Sequence, residues 1–129
     1  MIYVMLGAPI GALFRMLLSK RNDDFPKGTL IANLTGSFLL GLCAHLTGAA
    51  SLYFSIGVLG SFTTFSTLNL ELVQLYEQSK RKCFTYMALT YIPGPILFAV
   101  AYHLLNSLQV CNFFEKVMEI YINSFIINM

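Results

Sequence analysis

Four long apolar runs, at about residues 2–19, 28–47, 52–78 and 83–105, leave this chain few ways to fold. Each is close to or above the roughly 20 residues that an α-helix needs to cross the hydrocarbon core of a bilayer. In lipid every backbone polar group must be satisfied internally, so the runs are expected to be helices. With 57% of its 129 residues hydrophobic and only 11% charged, the chain is too apolar for a soluble domain. Repetition of the runs excludes a lone signal peptide, and the first run lacks the basic leader and small-residue cleavage site of one. The expected class is an all-α membrane protein with one four-span domain over residues 1–106.

The third run is longer than a span requires, so something must interrupt it. At its centre lies Gly60-Ser61-Phe62-Thr63-Thr64-Phe65-Ser66-Thr67-Leu68-Asn69-Leu70-Glu71, which sets hydroxyls, an amide, a carboxyl and aromatic rings among apolar residues. Gly57, Gly60 and the hydroxyl and β-branched residues that follow are weak helix formers, which predicts two half-helices around a break near 60–64. Beyond it, Thr67, Glu71, Gln74 and Gln78 recur at helical spacing. Glu71 is the most expensive of them, since an acidic side chain at the centre of a membrane helix costs about 2.5 to 3.5 kcal/mol on insertion scales. A role in function is the default for such a residue, unless it sits at shallower depth.

Polar groups in the other runs follow a pattern too. Thr29, Asn33 and Ser37 stand at i, i+4 and i+8 on one face of the second run. That stripe reads either as hydrogen-bonding glue between helices or as a functional surface. In the first run, Gly7 and Gly11 have the small-residue spacing of close helix contacts, and Arg15 either snorkels to the interface or supports a pore. Pro93-Gly94-Pro95 predicts a kink in the fourth run. His45 and His103 lie near helix ends and read as interfacial side chains. The tail, 107–129, mixes apolar and charged residues in the manner of an amphipathic helix on the membrane surface.

Lys20, Arg21 and Lys27 in loop one and Lys80, Arg81 and Lys82 in loop three contrast with Lys116 alone in the tail. The positive-inside rule therefore predicts loops one and three in the cytoplasm and both termini outside. A net charge of +2 confined to short loops argues against a nucleic-acid face. Cys43, Cys83 and Cys111 are odd in number and far apart, which indicates neither a disulfide framework nor a thiolate metal site. No Ser/His/Asp, Cys/His or paired-carboxylate arrangement is evident, so no enzyme is expected.

Three ordered motifs resemble the small bacterial fluoride channels of the CrcB (Fluc) type. They are Gly7-x-x-x-Gly11-Ala12-x-x-Arg15, Gly28-Thr29-Leu30-x-x-Asn33-x-x-Gly36-Ser37, and Gly60-x-x-Thr63-Thr64-Phe65-Ser66-Thr67-x-x-x-Glu71. The resemblance, over about residues 5–105, implies an antiparallel, dual-topology dimer with two fluoride pores in the cell membrane. It also implies a broken third span and a central structural sodium ion held by backbone carbonyls, here those of Gly60 and Thr63. Asn33, Phe65, Ser66 and Thr67 look like pore-lining groups, with Thr29, Ser37, Glu71 and Arg15 as polar support. Physics agrees with that assignment: a small, strongly hydrated anion needs donors in place of water, and a phenylalanine edge offers positive charge without trapping it.

The chain departs from the pattern as well. Leu68 stands where a second phenylalanine is usual, and the fourth run has Tyr91, Pro93 and Pro95 where small hydroxyl residues are common, with Thr90 the nearest hydroxyl. The six-to-one charge bias opposes insertion in both directions, which an antiparallel homodimer requires. The expectation is one half of a heterodimer whose partner supplies the missing ring. A non-conducting accessory subunit is the alternative. A small four-helix multidrug transporter is another, although the first run lacks the carboxylate that class depends on.

Overall fold

Small residues decide how the first helix docks. In a computed structural model, which describes residues 1–20, 22, 24–108, 116 and 119, α1 (Ile2–Ser19) buries only Gly7 and Gly11. Both lie against a π-helix, Leu52–Leu59, where a Cβ on Gly11 would overlap the Val58 carbonyl. The G-x-x-x-G spacing is thus a backbone-to-backbone contact, the type of packing that drives helix association in lipid. Changing Gly11 to alanine should force the two helices apart. A fall in the unfolding midpoint in mild detergent, with loss of the monodisperse species, is the expected result, and a wild-type midpoint would show that α1 docks elsewhere.

α2 (Lys27–Cys43) buries Thr29, Ala32, Asn33, Gly36 and Gly41 on one side. Its 17 residues rise about 26 Å, and it stops at Cys43 rather than near residue 47. The reversal into the next segment consumes residues 44–47, with Gly48 at φ 58 in the left-handed region that glycine tolerates. Residues 48–51 therefore form a short helix, α3 (Gly48–Ser51), instead of the expected loop.

The π-helix follows α3 directly, then α4 (Gly60–Phe62). Thr63 and Thr64 are extended, and the chain resumes as α5 (Phe65–Gln78). α6 (Lys80–Tyr91) begins three residues before the expected span, and Ile92 separates it from α7 (Pro93–Leu108). Pro93 and Pro95 have no N–H to continue the α6 ladder, which places the discontinuity at their N-terminal side. Among the described residues, three helical stretches are long and apolar enough to cross a membrane, Ile2–Ser19, Gly48–Gln78 and Lys80–Asn106. The molecule is an all-helical, multi-pass membrane protein.

α1 packs on the π-helix and α4, α2 on α7, and α5 on α6. A small core of Leu68, Leu75, Cys83 and Tyr86 joins the last pair, with Phe25 edge-on to Tyr86 at 5.4 Å. At the far end of the bundle, His45 stacks on Tyr102 with centroids 4.5 Å apart. The interfacial helix expected over 107–129 lies almost entirely outside the described residues.

Candidate functional site: the helix break and its buried carboxylate

Two threonines end one helix and start another. Thr63, at φ −77 and ψ 156, leaves the helical region, and its N–H still reaches the Leu59 carbonyl at 3.0 Å. A continuing helix would give the Thr64 N–H to the Gly60 carbonyl; instead it goes to Asn33 Oδ1 at 2.8 Å. Asn33 Nδ2 in turn donates to the Thr64 carbonyl at 3.1 Å. One buried amide thus replaces the partner that the Thr64 N–H loses at the break and adds a donor to the Thr64 carbonyl, keeping a buried peptide group paired.

Thr64 is also the N-cap of α5. Its hydroxyl accepts from the Thr67 N–H at 3.3 Å and donates to Thr67 Oγ1 at 3.0 Å, with Ser66 Oγ at 3.4 Å. On the other side of the break, Ser61 Oγ lies 2.8 Å from the Ala8 carbonyl of α1, and 2.7 and 3.0 Å from those of Gly57 and Val58. Gly36 makes room for the bend, since a Cβ there would overlap Thr63 Cγ2.

The break opens onto a cleft of about 220 Å³. Asn33 and Ser37 of α2, Thr63 and Thr64 of the break, Phe65 and Leu68 of α5, and Thr90 of α6 border it. The α2 stripe and the interrupted segment, separate in sequence, meet here. Phe65 is 66% exposed and Ser66 is exposed, whereas Leu68 is only 3% exposed. Thr90 donates its hydroxyl proton to the Tyr86 carbonyl at 2.9 Å.

One turn along α2 from Asn33, the polar face changes character. Thr29, fully buried, donates to Glu71 Oε1 at 2.6 Å, and Tyr86, also fully buried, donates to Glu71 Oε2 at 2.7 Å. Asn22, from the loop before α2, adds a donor to Oε1 at 2.8 Å. Glu71 is 9% exposed and accepts three hydrogen bonds from three different elements of the fold. Such a set can offset much of the cost of removing a carboxyl from water.

Of the residues singled out in the sequence, Asn33, Ser37, Thr63 and Phe65 converge on the cleft, and Ser66 and Thr67 surround its cap. Thr29 and Glu71 form the neighbouring cluster. Arg15, half-buried on α1, belongs to neither group, and Gly60 is exposed at the end of the π-helix. Gln74 and Gln78 are exposed, so the expected stripe on α5 divides at Glu71. Asn22 and Tyr86 were not foreseen as site residues: one reads as a turn former, the other as one more aromatic in an apolar span. Only the need of Glu71 for donors could have pointed to them.

An apolar helical bundle that bends around a small polar cleft and keeps a hydrogen-bonded carboxyl inside is an integral membrane protein built to handle a small polar solute or ion. Residues 2–102 match the family model described as CrcB-like protein, Camphor Resistance (CrcB), and the chain belongs to that family. It is similar to a protein named fluoride-specific ion channel FluC 1 from Geobacillus kaustophilus (strain HTA426), at 44% identity over 109 residues covering 79% of this chain and 94% of the relative. A FluC 1 from Staphylococcus aureus (strain NCTC 8325 / PS 47) is 41% identical over 74% of this chain and 88% of its own. A FluC 2 from Lactobacillus delbrueckii subsp. bulgaricus is 39% identical over 76% and 91%.

Proposed function

We propose that the chain is one subunit of a fluoride-selective channel through which cytoplasmic fluoride leaves the cell passively. Fluoride enters as neutral hydrogen fluoride and is held inside as the anion, so a passive path down its gradient suffices. The cleft at the break is the observation that carries this reading. It offers amide and hydroxyl groups, the exposed ring of Phe65 and the amino end of α5, a combination that can replace a hydration shell without a full positive charge.

A second subunit completes the path. Phe65, Ser66, Asn69, Leu70 and Val73 are exposed along one side of α5, so the cleft is left open beside Phe65. Gly60 supports the same reading: a Cβ there would meet nothing closer than Ser55 O at 3.6 Å, so nothing within the chain demands a glycine, whereas a close backbone from another copy would. The charge bias of the loops favours a partner of different sequence in the opposite orientation, with loops one and three of this chain in the cytoplasm and its termini outside.

The residues at the break also fit a structural sodium ion. Thr64 N–H is turned to Asn33, which frees the Gly60 carbonyl from its helical donor, and carbonyl oxygens at the end of a helix suit a hard cation. The carbonyls of Gly60 and Thr63 are the ones that would hold it, and its charge would fix the two subunits at their common centre.

Fluoride efflux from liposomes tests the proposal. Vesicles hold this chain alone, a family member of opposite charge bias alone, or both, and efflux is expected only from the mixture. Equal efflux from this chain alone would refute the heterodimer. A second reading, a non-conducting accessory subunit, draws on Leu68, whose buried aliphatic chain lines the cleft where a ring edge would face an anion. Silence from every pairing would support it and refute the channel.

A further inference from the structure

Asn22 belongs to the connection between α1 and α2, outside both helices, yet its carboxamide closes the Glu71 cluster. Nδ2 donates to Glu71 Oε1 at 2.8 Å and to Thr29 Oγ1 at 2.9 Å. Oδ1 accepts from the Gly28 N–H at 2.7 Å and, at a longer 3.4 Å, from the Thr29 N–H. One side chain therefore caps the first turn of α2, where Pro26 at the N-cap makes no side-chain bond, and fixes a carboxylate on α5. A neutral group needs both a donor and an acceptor to do this, and a carboxamide has both.

Glu71 and Thr29 lie one helical turn from Asn33 on the same side of α2. A carboxylate that swung free there would face the route between loop one and the cleft and would repel an approaching anion. Three donors hold the carboxyl group in one orientation.

We infer that Asn22 is a positioning residue of the anion path, locking the Glu71 carboxylate onto Thr29 and Tyr86 so that its charge does not obstruct ions arriving from the loop-one side. This rests on the fluoride-channel reading. Asn22 need not touch the ion, and its effect passes through Glu71.

The test uses N22D, which keeps the capping acceptor but turns a second carboxylate toward Glu71, and N22D/E71Q, which restores the pair with donor and acceptor exchanged. In the pairing that conducts, efflux through N22D should fall about tenfold, in line with like-charge repulsion between two carboxylates removed from bulk water. N22D/E71Q should regain most of the flux. Wild-type efflux from N22D, or a loss that the second substitution does not recover, would overturn the inference. Should N22D not fold, N22S keeps a smaller capping oxygen but no amide to reach Glu71. It should raise the fluoride concentration for half-maximal flux, and an unchanged dependence would overturn the inference equally. If wild-type pairings carry no fluoride, the channel reading itself fails, and the unfolding midpoint still reads the pair: lowered in N22D, restored in N22D/E71Q, with no restoration refuting the coupling.

Discussion

Replacing Asn33 with alanine should lower fluoride efflux by about a hundredfold or more, the equivalent of roughly 2.7 kcal/mol in barrier height. Two losses combine in that figure. The cleft loses an amide beside Ser37 and Phe65, and the break loses both bonds that Asn33 makes to the Thr64 backbone, at 2.8 and 3.1 Å. Leaving buried donors and acceptors unpaired costs about 1–3 kcal/mol for each group, so the unfolding midpoint should fall as well. Asn33→Asp separates the two contributions. It keeps an acceptor for the Thr64 N–H but gives the Thr64 carbonyl no donor and adds a negative charge at the cleft, so its flux should fall at least as far as that of the alanine variant while its stability falls less. Liposome efflux beside detergent unfolding reads both, and an alanine variant that conducts like wild type would remove Asn33 from the path.

The second large effect is expected at Glu71. Alanine there strands the Thr29 hydroxyl, the Tyr86 hydroxyl and the Asn22 amide in a buried pocket, and the chain should lose more than about 3 kcal/mol. Tyr86→Phe removes only one donor, with its ring still held against Phe25, and should cost about 1–2 kcal/mol. Glu71→Gln retains an oxygen for Thr29 and Asn22 and should fall between the two. Denaturant unfolding in mild detergent supplies the ranking. A cycle with Glu71→Gln and Tyr86→Phe should show a loss for the double variant that is smaller than the sum, because both single changes alter the same Glu71–Tyr86 contact. Strict additivity would mean that the cluster is not a unit.

Local pattern drew attention to residues 60–64. Weak helix formers at Gly60 to Thr64 stand inside a run too long for one span, and the discontinuity falls at Thr63 and Thr64. Helical spacing likewise put Thr29, Asn33 and Ser37 on one face, the one that turns to the break and to Glu71. What could not be read was anything that depends on long-range partners. Asn22 meets Glu71 across 49 residues, and Tyr86 lies in a span where nothing in its spacing marks it. The early end of α2 escaped for a different reason: hydropathy continues through residues 44–47, but the geometry of a chain reversal needs them as a turn. Leu68 was marked as a departure from pattern by sequence, and only packing reveals that it is committed to the core with Leu75, Cys83 and Tyr86.

The π-helix ahead of the break constrains this protein in a currency that hydropathy does not measure, the number of residues. Gly60 N–H reaches back five positions to the Ser55 carbonyl, so Leu52–Leu59 holds more residues per turn than an α-helix of the same rise. Losing a single codon from that stretch would leave a segment just as apolar and still long enough to span. It would also turn everything downstream by most of the 100° that one α-helical residue subtends, less the difference due to the wider π-turn. Ser61 would leave the Ala8 carbonyl and Thr64 would leave Asn33, so a mutation that looks silent in composition would erase the site.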